Sequence, residues 1–556
     1  MAPRAATLAA ALALLTWTVA ALAAPAGAPV RKLMTYTWDP PAPPMPSLPC
    51  ARTALPDVSG YAALFEALWV NPKTREAAAA QTGGQLHPFK TFAAAWNSIP
   101  KFTQRSTGLV IYLMPGVSGS GVDSFWMEGG WGTAAAPIVV TRAPGATGPV
   151  SDLQSINVLN CTYLYFKSVA FIQPRGSGSG GDLVHFAACD FIYLLGATLK
   201  GLPGRRAPQE TLKVNQVKGM YVEDTTITNG GDNTLDFVAV QYGHICRSTF
   251  INAQWGIYVK GGSAYIVIDS NVIDNKGMRG SESGLRVGQG TGFEYMVAPW
   301  LNYEAYSIMV VNNVVRNVYG AGLGVAGGYD ILVAYNSVYN CGQRSHMAEF
   351  LFGSRSCDGD GDLPGRCTAN GAAGGWGPNN GGAEAQCIPN KNVYFLNNLL
   401  VNRANKGSAS AHFMAPAECT SETPGGPPAG VVGASVSDNL VVAGNVIINT
   451  RKRATLELGL DACTAANPTC TLDGVASGNT LNPPGLTSAM LQSTSALTIK
   501  AASKGALRAA WRPAPVPAFP AWATPLPVPA GPLGPAVTFD AAGAARGGGD
   551  MPGALL

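Results

Sequence analysis

Along the chain, short stretches alternate apolar and polar residues with a period of two, and the stretches return at a near-constant interval. The clearest form is polar–x–apolar–x–Asn. It occurs at Thr225–Asn229, Ser248–Asn252, Asn271–Asn275, Asn313–Asn317, Asn336–Asn340, Asn398–Asn402 and Asn445–Asn449, with starts stepping by 23, 23, 42, 23, 62 and 47 residues. Weaker copies at Val169–Gln173 and Ala197–Gly201 precede them at steps of 28. A step of 23 to 28, lengthened where loops are inserted, fits one coil of a β-solenoid, whose strands bury alternate side chains inward. The terminal Asn suits a turn repeated in every coil. Its amide can bond the backbone and the equivalent amide one coil away, and Asn tolerates the left-handed conformation. The L-x-x-L-x-L frame of leucine-rich repeats is missing and propeller repeats are longer, so stacked parallel strands are expected.

The flanks agree with this. Phe89, Phe92, Trp96 and Ile99, spaced 3, 4 and 3 apart, predict an amphipathic helix. It is followed by the strand-like run Leu109–Met114, the turn Pro115-Gly116 and a strand over Pro137–Thr141. Such a helix would close the open end of a solenoid, whose first coil otherwise presents apolar surface and unpaired backbone. Residues 351–390, rich in Gly, Cys and Asn, read as one long loop, and the Pro- and Ala-rich sequence from 505 to 556 as a disordered tail. The expected organisation is a leader at 1–24, an N-terminal segment at 25–83, the repeat domain at 84–450, a C-terminal coil or cap at 451–504, and that tail.

Composition narrows the class. Gly 67 and Pro 41 in 556 residues supply turns, while 13% charged against 47% hydrophobic residues argues against both general disorder and a charged helical bundle. A net charge of +4 is too small for a sequence-independent nucleic-acid binder. Arg4 ahead of the apolar run Leu8–Ala23, with Ala21-Leu22-Ala23 as a cleavage site, predicts a signal peptide and a secreted protein without further membrane segments. Seven of the 11 cysteines (Cys341, Cys357, Cys367, Cys387, Cys419, Cys463 and Cys470) fall after residue 340 and are expected to pin loops as disulfides. Cys161 and Cys189, one 28-residue coil apart, are expected as stacked thiols or a rung-to-rung disulfide. A monomer is expected.

The segments GGQLHPFKTFAAAW, IYLMPG, GTAAAPIVVTRAPG and WGIYVKGGSAYIVIDSNVI resemble the right-handed parallel β-helix proteins of the pectate lyase-like superfamily, over roughly residues 84–450. The resemblance implies an all-β fold, a right-handed parallel β-helix with an N-terminal capping helix and disulfide-pinned loops. It also implies an extracellular polysaccharide as partner. Lyases, hydrolases, epimerases and non-catalytic proteins share that architecture. Lyases of the superfamily take the proton beside a uronate carboxylate with Lys or Arg, usually with calcium neutralising the carboxylate.

Candidate chemistry follows from aligning Gly256-Ile-Tyr-Val-Lys260 with Gly284-Leu-Arg-Val-Gly288. If Ile257, Val259, Leu285 and Val287 point inward, Tyr258, Lys260 and Arg286 point outward from one sheet. Lys260 and Arg286 would then be one rung and two residues apart, about 8 Å between Cα atoms, within reach of one sugar ring. Lys260 is the candidate base, Arg286 the group that holds the carboxylate or stabilises the enolate, and Tyr258 a sugar-stacking ring. Counting by the turn pattern brings Lys213, His185 and His346 to the column of Tyr258, with Lys213 and His346 as substrate-binding candidates. Asp232 and Asp236, four apart ahead of a strand, are the candidate calcium ligands, although the adjacent aspartate pair of one calcium-dependent lyase family is missing. The first expectation is a secreted polysaccharide lyase. The alternatives are a non-catalytic glycan-binding β-helix and a glycoside hydrolase, which needs paired carboxylates not evident on an outward face.

Overall fold

The coil that runs from residue 233 shows the plan of the whole molecule. Its strand Asn233–Val238 turns into Gln241–Cys246, which turns into the three-residue strand Thr249–Ile251, after which the chain returns to Trp255–Lys260, stacked on the first. The computed structural model describes residues 65–118, 125–146, 151–176, 180–297, 303–344, 346–355, 386–388, 390–402, 413–414, 438–449, 472–495 and 497–517, with Cys50, Gly365, Cys367 and Ala369. The expected leader lies outside the described residues, as does the sequence from 518 onward.

Three sheets of 14, 12 and 10 strands result among the described residues, here called A, B and C; Asn233–Val238 belongs to C, Gln241–Cys246 to A and Thr249–Ile251 to B. Neighbouring strands within each pair in parallel, which a chain joined by short turns achieves only by winding. The molecule is a parallel β-helix. Registers hold from rung to rung, so inward side chains stack in columns. On sheet C one column runs Val184, Leu212, Leu235, Ile257, Leu285, Leu323, and the next runs Phe186, Val214, Phe237, Val259, Val287, Val325. All twelve are at most 1% exposed and belong to one continuous core.

The repeated motif does its work at a different residue from the one expected. A buried ladder of Asn271, Asn313, Asn336, Asn398, Asn445 and Asn479 climbs the turn between sheets A and B, each side-chain oxygen accepting the backbone N–H of its predecessor at 2.8–3.0 Å. Thr225 and Ser248 continue it downward with hydroxyls. These are the first residues of the motif, not the last. The terminal Asn229, Asn252, Asn317 and Asn340 do adopt left-handed φ of 56–65°. Their rung-to-rung bonding is only partial, as in Asn340 Nδ2 to Asn317 Oδ1 at 3.0 Å. The first position sits where the chain turns inward, so its amide is desolvated and must be satisfied by its neighbours.

At the N-terminal side the helix is Phe92–Asn97, capped by the Thr91 hydroxyl, which accepts from the Ala94 N–H. Phe92, Ala95 and Trp96 are buried, and Phe92 meets Phe125 edge-on. Cys50 is bonded to Cys246 on sheet A, a link over 196 residues that the cysteine spacing did not suggest. Cys161, Cys189 and Cys341 are buried free thiols. The first two are therefore stacked thiols, and Cys341, expected in a disulfide, is an inward core residue instead. Cys367 is disulfide-bonded. The neck of the 351–390 loop closes as an antiparallel pair, Gly353–Arg355 with Gln386–Ile388. The helix Ala501–Ala510 crosses the boundary expected at 505. Beyond it, Ala514 exchanges two 2.9 Å hydrogen bonds with the Asn397 side chain on the outer face of sheet A. No helix of the described residues is long and apolar enough to cross a membrane.

Candidate functional site

On the outer face of sheet C, register alone aligns His185, Lys213, Asp236, Tyr258, Arg286, Gly324 and Glu349 in one column, one residue per rung. Lys260 stands two residues beyond Tyr258 on the same strand. The expected placement of Lys213, His185, Tyr258, Lys260 and Arg286 on one face therefore describes the geometry. His346 falls three residues short of the column, in the turn before Ala348–Leu351, and Glu349 takes the place assigned to it. The inserted residues between Asn340 and Ala348 shift the count, because loop length is not set by the coil period. His346 Nδ1 still lies 3.5 Å from the Glu349 carboxylate.

The centre of the column is Asp236, with no solvent exposure. The Lys213 ammonium donates to its Oδ2, and the Lys260 ammonium lies 3.7 Å from the same oxygen. Burial pulls Lys213 down, but the Asp236 carboxylate, the larger charge beside it, outweighs that and holds the ammonium above its ordinary range. Glu210 lies 3.7 Å from Lys213. Burial and a hydrogen bond shared with Asp182 push Glu210 up to about 8, so it carries a proton at neutral pH. Burial, with Lys213 adding to it, holds His185 down to about 4, so its ring is neutral. Asp182 and Glu210, which the sequence did not single out, join Asp232, expected only as a calcium ligand. Each stands at or just ahead of a sheet C strand, one coil apart, and that periodicity was the available signal.

Tyr258 does not present a free ring to a sugar. It is 7% exposed, Trp255 stacks on it at 4.9 Å with planes 13° apart, and the Lys260 ammonium lies 4.0 Å from its centroid. The ring acts as a spacer that props Lys260 above the sheet. Arg286 is 2% exposed, donates to Glu349 through Nη2, and lies over Trp255 at 5.4 Å. Among the described residues its Nε and Nη1 have no hydrogen-bond partner, nor do Asp236 Oδ1, Asn233 Oδ1 and Thr211 Oγ1. Buried polar atoms left unpaired are costly, and these lie on rungs of the same sheet C stack.

Calcium fits this donor set poorly. Asp236 already shares one oxygen between two ammonium groups, so a divalent cation would enter against two like charges. Asp232, the other expected ligand, is exposed at the turn.

No protein-family model matches the sequence, and no curated protein matches it. Among solved structures it is similar to a rhamnogalacturonan lyase (11% identity, TM-score 0.38, covering 63% of this chain and 84% of that one). It is similar to a pectate lyase (11%, 0.32, 53% and 77%) and to the A-module of a mannuronan C-5 epimerase from Azotobacter vinelandii (12%, 0.30, 64% and 91%). No residue role is carried over from them.

Proposed function

We propose that this is a carbohydrate-active protein that lays an anionic polysaccharide along the outer face of sheet C and cleaves it by elimination. The observation that carries the reading is the pairing of Lys213 and Lys260 with Asp236, two rungs from an Arg286 that keeps two buried N–H donors without a partner among the described residues. Unpaired donors on a buried guanidinium call for an anionic acceptor, and a uronate carboxylate supplies one with matching planar geometry. Lys260 in its neutral form takes the proton at the carbon beside that carboxylate. The C–O bond to the leaving sugar breaks as a carbon–carbon double bond forms, and the departing oxygen takes a proton, for which Glu210 is placed on the same face. The Cys50–Cys246 disulfide favours an oxidising, extracellular setting.

Hydrolysis is the second reading, and Glu210 favours it. A carboxyl group kept protonated to about 8 stands beside the Asp236 carboxylate, so two carboxyl groups share one face. Purified protein offered pectate, alginate and glycosaminoglycans, with and without calcium, distinguishes the cases. Elimination gives an ultraviolet-absorbing unsaturated uronate that Lys260→Ala abolishes. New reducing ends without absorbance support hydrolysis, and binding without products leaves a glycan-binding protein. Full activity in Lys260→Ala refutes the assigned base.

A further inference from the structure

The column that holds the site does not end at His185. His185 pairs in register with Asn157, and Asn157 with Trp126, so Trp126 occupies the same outward position four rungs before Asp236. Its neighbour Met127 points inward at 0% exposure, which fixes Trp126 outward by the alternation of the strand. Trp126 is 54% exposed, and among the described residues no aromatic ring packs on it. Tryptophan is highly buried on average, so a bare indole on a rigid strand in line with a polar site is informative.

What lies between is suited to the middle of a glycan. Asn157 Oδ1 is 3.2 Å from His185 Nδ1, and Asn215 Nδ2 is 3.2 Å from His185 Nε2. The strip therefore runs from an aromatic platform, through a neutral amide and imidazole, to the charged centre. Four rungs at ~4.8 Å span about 19 Å, the length of several sugar units rather than one. The geometry points to Trp126 as a remote stacking platform for a distal sugar of the glycan chain whose reacting unit sits at Asp236, so that the protein selects long chains over short ones. A pyranose ring has one face of C–H groups, and laid flat on an indole it removes apolar area from water on both partners.

This rests on the reading of the site given above, and the test separates the two. Affinity and KM are measured for polygalacturonate or alginate, for a long oligouronate and for a disaccharide, with wild type, Trp126→Ala and Trp126→Phe. The expected result is about tenfold weaker binding of polymer and long oligomer in Trp126→Ala, no change for the disaccharide, retention in Trp126→Phe, and unchanged melting in both. A wild type that acts on polymer alongside an unchanged Trp126→Ala overturns the platform alone, as does equal loss at every chain length. A wild type that binds no glycan of any length overturns the reading of the site, and the platform with it.

Discussion

Asp236→Asn tests whether the charge cluster is built as described. The substitution keeps the shape of the side chain and removes the one anion that two ammonium groups share. At 3.7 Å and an effective dielectric near 20, the Lys260–Asp236 attraction alone is about 4.5 kcal/mol before desolvation is subtracted. Breaking a buried pair typically costs about 3–5 kcal/mol, because the remaining charge stays uncompensated. Lys213 and Lys260 keep side-chain exposures of 19% and 16%, so water screens part of their repulsion and the low end, about 3 kcal/mol, is expected. A solenoid opens coil by coil, so hydrogen exchange of the amides Thr234–Val238 reads the loss where it occurs. Three kcal/mol corresponds to exchange faster by about a hundredfold. Lys213→Met in the same background should recover about 2 kcal/mol, since one of the two stranded cations is gone. An Asp236→Asn protein within about 0.5 kcal/mol of wild type, or costs of the two changes that simply add, would refute the shared-anion account.

Two further outcomes follow from neighbouring residues. Gly324 faces Arg286 in register, and a Cβ there would lie 2.4 Å from Arg286 Nε and 2.9 Å from Cζ; Gly324→Ala should therefore displace the guanidinium, at a cost of about 1–3 kcal/mol, and lower turnover as far as Arg286→Ala does, with an unaltered Arg286 in its crystal structure as the contrary result. Glu210, raised to about 8 from an ordinary value near 4.3, binds more protons folded than unfolded between those values, so its contribution to stability is present below the lower one and is lost as pH rises through the upper. Urea midpoints of wild type should accordingly fall relative to Glu210→Gln between about pH 5 and about pH 8, and parallel curves would show that the proton is not held there.

The sequence by itself determined the winding. A polar–x–apolar–x–Asn unit recurring at 23 to 28 residues has no stable solution other than stacked coils, because no single unit can bury its own apolar face. Period-two alternation then settled which side chains of Trp255–Lys260 and Ser283–Gly288 turn outward, so Lys260, Arg286, Tyr258 and Lys213 were legible as neighbours before any coordinates. What the tertiary structure decided is everything that depends on loop length and on crowding. His346 missed its column because the residues after Asn340 are not counted in coils. The ladder amide proved to be the first residue of the motif, since only the local turn says which position is desolvated. Tyr258 lost its expected role to Trp255 and Lys260, which cover its ring. Asp182 and Glu210 entered the site because strands far apart in sequence were brought to adjacent rungs, where burial and neighbouring charge set the chemistry of each group.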